Sequence, residues 1–251
     1  MAAEGKTIDA LSQFELSPIL GAIGSSVGFT QSNGHMVIAV AAICLLLIMG
    51  VSARAVVPGR VQAAAEMLYE FVHDLVLRQV GEEGRRFFPF VFALFTFVLV
   101  GNVLGLFPYA FTFTSHIAVT LTLAMIVFLG TTLLALRLHG LHFFSFFFPK
   151  GASIWLAPLI VPVEMISYLS RPVSLSVRLF ANMVAGHVLL KVFATFMILL
   201  TGLGTAGYFV AVLPFGVNVL LIGFELLVAF LQAYVFAILT SIYLHDAVHL
   251  H

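Results

Sequence analysis

Residues 153–200, SIWLAPLIVPVEMISYLSRPVSLSVRLFANMVAGHVLLKVFATFMILL, and residues 208–243, YFVAVLPFGVNVLLIGFELLVAFLQAYVFAILTSIY, are two nearly unbroken apolar runs. Each is much longer than the roughly 20 residues that cross a bilayer. The breaks fall only near Arg171-Pro172 and at TGLGTAG, residues 201–207. Counted in spans of about 20 residues the region makes three crossings, and read as two long helices it makes two. Working outward, further apolar stretches at 36–53 (MVIAVAAICLLLIMGVSA), 87–107 and 117–137 read as membrane helices. Arg54 and Pro58-Gly59-Arg60 close the first of them.

Composition agrees. Of 251 residues, 62% are apolar and 9% charged, against roughly 45–50% and about 25% in a soluble domain. The chain therefore reads as an all-α integral membrane protein, with an extramembrane segment at 1–35 and one helical membrane domain at 36–251. Eleven basic residues balance eleven acidic ones, which excludes the basic excess of a nucleic-acid binder. The single cysteine, Cys44, excludes an internal disulfide framework. Residues 1–20 carry Glu4, Lys6, Asp9 and Glu15 and lack the apolar run of a secretory signal, so a mature N-terminus is expected.

Residues 61–80 behave differently. Gln62, Glu66, Glu70, Asp74 and Arg78 recur every fourth position, and Ala65, Leu68, Val72, Leu75 and Val76 fill another face. That predicts an amphipathic helix lying at the interface. Its polar face is more acidic than basic, which favours a protein partner there over anionic lipid. Arg54, Arg60, Arg78, Arg85 and Arg86 lie between the first two spans, the turn at 108–116 has no Lys or Arg, and Arg137 and Lys150 follow the third span. The positive-inside rule then puts the N-terminus outside and segments 54–86 and 137–152 in the cytoplasm.

Ionisable residues inside apolar spans carry the functional signal, because a charge at the centre of a membrane helix costs roughly 2.5–3.5 kcal/mol on insertion scales. They are Glu164, Arg171, Arg178, His187, Lys191 and Glu225. At about 100° per residue, with Arg178 at zero, Glu164 and Asn182 lie near 40°, Arg171 near 20°, Ser167 near −20° and Ser174 near −40°. One polar stripe thus runs from 164 to 182, and His187 serves a different face. Asn218, Glu225 and Gln232 are seven apart and form a second seam. Arg171 and Lys191 could equally snorkel or pair with Glu164 and Glu225. His245 and His249 read as tail residues, with no third ligand for a metal. Asn102, in GNVLGLFP, needs a hydrogen-bond partner inside the bundle, as a structural polar group. Gly101, Gly105 and Pro108 suit close packing and a span end. With no phosphate loop and no nucleophile–base set, the chain is not expected to be an enzyme or to hold a cofactor. From the residues alone, a secondary transporter with a midplane Arg/Glu site and a membrane scaffold both remain open.

PLIVPVEMISYLSRPVSLSVRLFANMVAGH (158–187), GNVLGLFP (101–108) and ELLVAFLQAYVFAILTSIYL (225–244) closely resemble the a-subunit family of F-type ATP synthases. The resemblance runs from the first span to the C-terminus. It implies a proton-translocating stator working against a rotating ring of c subunits, with b-type subunits of the peripheral stalk and membrane lipid as further partners. It also implies that the last two helices are long and strongly tilted, which selects five crossings. On this resemblance Arg178 is the family's essential arginine. His187 and Glu225 are the polar pair of the periplasmic half-channel, with the acid and histidine exchanged in some bacterial relatives, and Asn182 and Gln232 lie beside them. Glu164 and the Ser167–Ser174 stripe match the cytoplasmic half-channel. The implied location is the bacterial inner membrane, or the mitochondrial one as the alternative. His187 favours the proton over sodium.

Overall fold

A computed structural model describes residues 30–52, 57–107, 110–140, 143, 147–148 and 154–249. The N-terminal charges Glu4, Lys6, Asp9 and Glu15, together with Arg54, Pro108 and Lys150, lie outside the described residues. Among the described residues six long helices follow one another: α1 Gln31–Ser52, α2 Arg60–Val80, α3 Phe88–Gly105, α4 Ile117–His139, α5 Ala157–Thr201 and α6 Thr205–Val248. Short 3-10 turns occupy Glu82–Arg86, Phe113–Ser115 and Ile154–Leu156. Among the described residues, five helices are long and apolar enough to cross a membrane: α1, α3, α4, α5 and α6. Helix α2 is the amphipathic exception.

The length of the last two helices constrains how they sit. Helix α5 has 45 residues and α6 has 44. At 1.5 Å per residue each is about 66 Å long, against a hydrocarbon thickness of roughly 30 Å. Either helix can stay within the bilayer only by leaning far from its normal. Pro162 and Pro172 lie inside α5 and Pro214 inside α6; neither helix ends there. Helix α6 also outruns the apolar stretch that announces it. It continues to Val248, so His245 is a half-buried helical residue rather than part of a tail, and His249 follows just beyond, exposed. Likewise α1 begins at Gln31, inside the segment 1–35 expected to lie outside the membrane.

Helix α6 lies at the centre of the packing, against α2, α3, α4 and α5. Ala229, Ala233 and Ala237, four residues apart, are completely buried along one stripe. Small side chains there let neighbouring helix backbones approach closely, the usual solution where hydrocarbon gives no hydrophobic drive between helices. Around them pack Val91, Phe95 and Val98 of α3, Val72 and Val76 of α2, Val127 of α4, and Leu175 and Leu179 of α5. Buried hydroxyls bond back to their own helices: Thr240 to the Phe236 carbonyl (2.7 Å), Ser241 to that of Ala237 (2.9 Å), and Thr96 to that of Phe92 (2.7 Å). Without water to serve them, they take the nearest acceptors. On α2, Val72, Leu75, Val76 and Val80 are buried as the pattern requires. Gln62, expected on the polar face, is buried instead and donates to Glu66 at 2.8 Å.

The chain between α3 and α4 folds back on α3. A Cβ added at Gly101 would meet the Phe113 ring, and one at Gly105 would meet the Thr112 side chain. Only glycine permits that approach. Replacing Gly101 by Val should destabilise the bundle by about 1–3 kcal/mol through overpacking against Phe113. Thermal unfolding in detergent should show a lowered midpoint; an unchanged one would mean that the loop does not pack as described.

Candidate functional site

The site is built on the α5–α6 hairpin. Gly204, with φ +88°, turns the chain between the two helices, so they run antiparallel and present fixed positions to each other. Three polar pairs bridge them. Arg171 Nη1 lies 3.1 Å from Asp246 Oδ2, Asn182 Nδ2 donates to Gln232 Oε1 at 2.9 Å, and His187 Nδ1 lies 2.9 Å from Glu225 Oε1. Glu225, Gln232 and Asp246 are multiples of seven apart, so one seam of α6 supplies all three partners. The seam read from Asn218, Glu225 and Gln232 therefore continues two heptads beyond Gln232, to Asp246, three residues past the expected end of the helix.

His187 is the most connected group. Its Nε2 lies 2.7 Å from Thr112 Oγ1 and 3.0 Å from the Gly105 carbonyl, and its Nδ1 lies 3.0 Å from the Met183 carbonyl as well as facing Glu225. Carbonyl oxygens only accept, so the surroundings offer an acceptor to a hydrogen on either ring nitrogen. Glu225 is 4% exposed, and its Oε2 has no hydrogen-bond partner among the described residues. Gly186 makes this possible, because a Cβ there would run into the Glu225 carboxylate. Asn182, Gly186, Glu225 and Gln232 share a groove of about 340 Å³ with Leu189, Leu221, Phe224 and Leu231. A buried acid and two amides thus open sideways onto an otherwise apolar channel between the two helices.

Arg178 is handled differently from the other charges. It is exposed, on the same side of α5 as Ser174, and makes no ion pair among the described residues. Both acids on the facing seam are taken, Glu225 by His187 and Asp246 by Arg171. Glu164 is half-buried, nearer the N-terminal end of α5, without an ion pair among the described residues. Asn102 is fully buried on α3 and donates to the Ala229 carbonyl at 3.5 Å, while its Oδ1 has no hydrogen-bond partner among the described residues.

The family described as ATP synthase A chain matches residues 34–245. The chain belongs to that family. ATP synthase subunit a of Granulibacter bethesdensis is 66% identical over the full length of both chains. The subunits of the same name from Gluconobacter oxydans and Acidiphilium cryptum are 58% and 55% identical, the former covering 98% of this chain and 99% of the relative, the latter 99% and 100%. The a-subunit chain is thus a proton-translocating component of an F-type ATP synthase, acting in a complex with other subunits. It is a multi-pass protein of the bacterial inner membrane.

Within this a subunit, several residues of the site escape a reading of the sequence. Asp246 lies past the apolar run, and Arg171 pairs with it rather than with Glu164 or Glu225. The Arg171 guanidinium also lies over the rings of Tyr168 (5.2 Å) and Tyr243 (5.0 Å), where a cation is attracted to the π face. Thr112 and Gly105 reach His187 from another part of the chain, with no periodicity to signal it. Gly186, just before His187, carries no side chain that could signal its role.

The Arg171–Asp246 pair, 22% and 28% exposed, ties the far end of the hairpin. Asp246→Asn should cost about 2 kcal/mol, typical of a hydrogen bond to a charged group. In a double-mutant cycle with Arg171→Gln the two losses should be strongly non-additive. Additive losses, measured by unfolding in detergent, would show that the contact contributes nothing.

Proposed function

We propose that this a subunit conducts protons through two offset half-channels that meet at Arg178, and that Arg178 faces the carboxylate of a c-subunit ring. The observation that carries this reading is the exposed guanidinium of Arg178 on a membrane helix, with no acid of the described chain paired to it. An arginine stays charged, and a charge held in an apolar span calls for a partner or water. The acid it lacks is then supplied from outside the chain.

On this reading, protons arrive from the periplasm at His187 and Glu225. The positive-inside assignment puts the turn at 108–116, which has no Lys or Arg, on the periplasmic side, and Thr112 of that turn touches His187. Asn182 and Gln232 continue the polar lining toward the ring. A proton delivered to a ring carboxylate neutralises it, and a neutral carboxyl enters lipid at far lower cost than a charged one. At the end of a rotation the site meets Arg178. A cation about 4 Å from a carboxylate gains on the order of 4 kcal/mol at an effective dielectric of 20, which drives release of the proton toward Glu164, Ser167 and Ser174 on the cytoplasmic side. The same positive charge bars a direct leak between the two paths. One charge crossing 100 mV supplies roughly 2.3 kcal/mol, comparable to that local interaction, so neither overwhelms the other.

The subunit itself moves protons and makes or breaks no covalent bond beyond them; ATP chemistry belongs elsewhere in the complex. The acidic, exposed face of α2, with Glu66, Glu70 and Asp74, suits a b-type peripheral-stalk partner better than anionic lipid. Arg178→Ala should abolish proton-driven ATP synthesis in reconstituted, fully assembled complex; normal synthesis would remove the core of the reading. His187→Ala should slow proton flow and change its pH dependence. A rate and profile unchanged from about pH 6 to 8, the range over which histidine titrates, would make this residue structural.

A further inference from the structure

His35, on the first helix, sits far in sequence from the proton pair yet is joined to it by a short chain of contacts. Its Nδ1 lies 2.9 Å from the Gln31 carbonyl, one turn back. A carbonyl only accepts, so Nδ1 carries the hydrogen. Its Nε2 is then bare, and it accepts the backbone N–H of Phe111 at 3.1 Å. The next residue is Thr112. Both Phe111 and Thr112 are buried, and successive Cα atoms are about 3.8 Å apart, so the Phe111 amide cannot shift without moving Thr112. The Thr112 hydroxyl donates to the Gly105 carbonyl at 3.2 Å, which leaves its oxygen free to accept from His187 Nε2 at 2.7 Å.

The rest of this loop is braced to keep that geometry. Ser115 Oγ donates to the Thr112 carbonyl, and the missing Cβ at Gly105 leaves the space that the Thr112 side chain fills. His116 stacks on the Phe111 ring with centroids 5.2 Å apart, and burial pushes it below the usual histidine range. The bond from His35 ties the loop to α1. Without it the Phe111 amide is a buried donor that has lost its acceptor, a costly state that the loop would relieve by moving.

We propose that His35 is a positioning residue for proton intake: by accepting the Phe111 amide it holds the Thr112 hydroxyl on the imidazole of His187. The first helix thereby takes part in the proton path without touching a proton. This inference rests on reading His187 and Glu225 as the intake pair, and the experiment separates the two.

Proton-driven ATP synthesis would be measured in liposomes with the whole complex, normalised to assembled complex by co-purification and by ATP hydrolysis in detergent. His35→Leu, which removes the acceptor, should lower synthesis about fivefold, the worth of roughly one hydrogen bond. His35→Gln places an amide oxygen near the Nε2 position and should restore most of the rate. Thr112→Val should impair synthesis at least as much as His35→Leu, and the double substitution should be no worse than Thr112→Val alone, because His35 acts only through Thr112. Equal impairment by Leu and Gln at position 35, or multiplicative losses in the double variant, would overturn the proposal. Normal synthesis in His35→Leu beside a slowed His187→Ala would overturn this inference and leave the intake pair standing. Normal synthesis in His187→Ala would instead sink the reading on which it rests.

Discussion

In hydrocarbon a polar side chain without a partner is expensive, and the antiparallel register of α5 and α6 decides which side chains find one. Position 171 faces 246, 182 faces 232, and 187 faces 225. Each of these pairs satisfies groups that neither helix could carry alone. The same register exhausts the acids of the α6 seam before Arg178 can reach one. The isolated cation is thus a consequence of how the other charges are distributed rather than an accident at one position. A slip of one residue between the two helices would undo all three pairs together, because it rotates every side chain of the seam by about 100°.

The helical class and the apolar runs could be read from hydropathy, since length and periodicity report directly on what crosses a bilayer; the count of five came from the resemblance, because residues 153–243 read equally as two spans or three. Helix α2 was legible for the same reason, from its four-residue spacing. The angle of each residue about its own helix axis was legible too: His187 and Arg178 do sit on different faces of α5. What an angle cannot supply is the element that lies opposite. Arg171 had two candidate acids, Glu164 and Glu225, and its actual partner, Asp246, stands beyond the apolar run, where the last turns of the helix pack against α4 and α5. Gln62 illustrates the same limit, a polar residue on the polar repeat that tertiary packing covers.

Contacts made by the chain between α3 and α4 were the least legible. Thr112, Gly105 and Phe111 obey no period, and their importance comes from backbone folding back onto α3 where Gly101 and Gly105 leave room. These contacts also hold the His187–Glu225 pair in place. His187 is held on one nitrogen by its own helix and by Glu225, and on the other by this returning chain. On the proposed reading that fixed position serves proton transfer, which requires hydrogen-bond reach at every cycle. The groove beside Glu225 runs past Gln232 and Asn182 between the two helices.

The account turns on which way one guanidinium points in the working machine. A high-resolution map of the assembled complex would measure the separation between Arg178 and the nearest ring carboxylate directly. The account predicts that the two approach to about 4 Å, or share one bridging water, with the Asp246 carboxylate still held by Arg171. Arg178 turned inward onto Asp246 or Glu164, with no ring acid beside it, would contradict it.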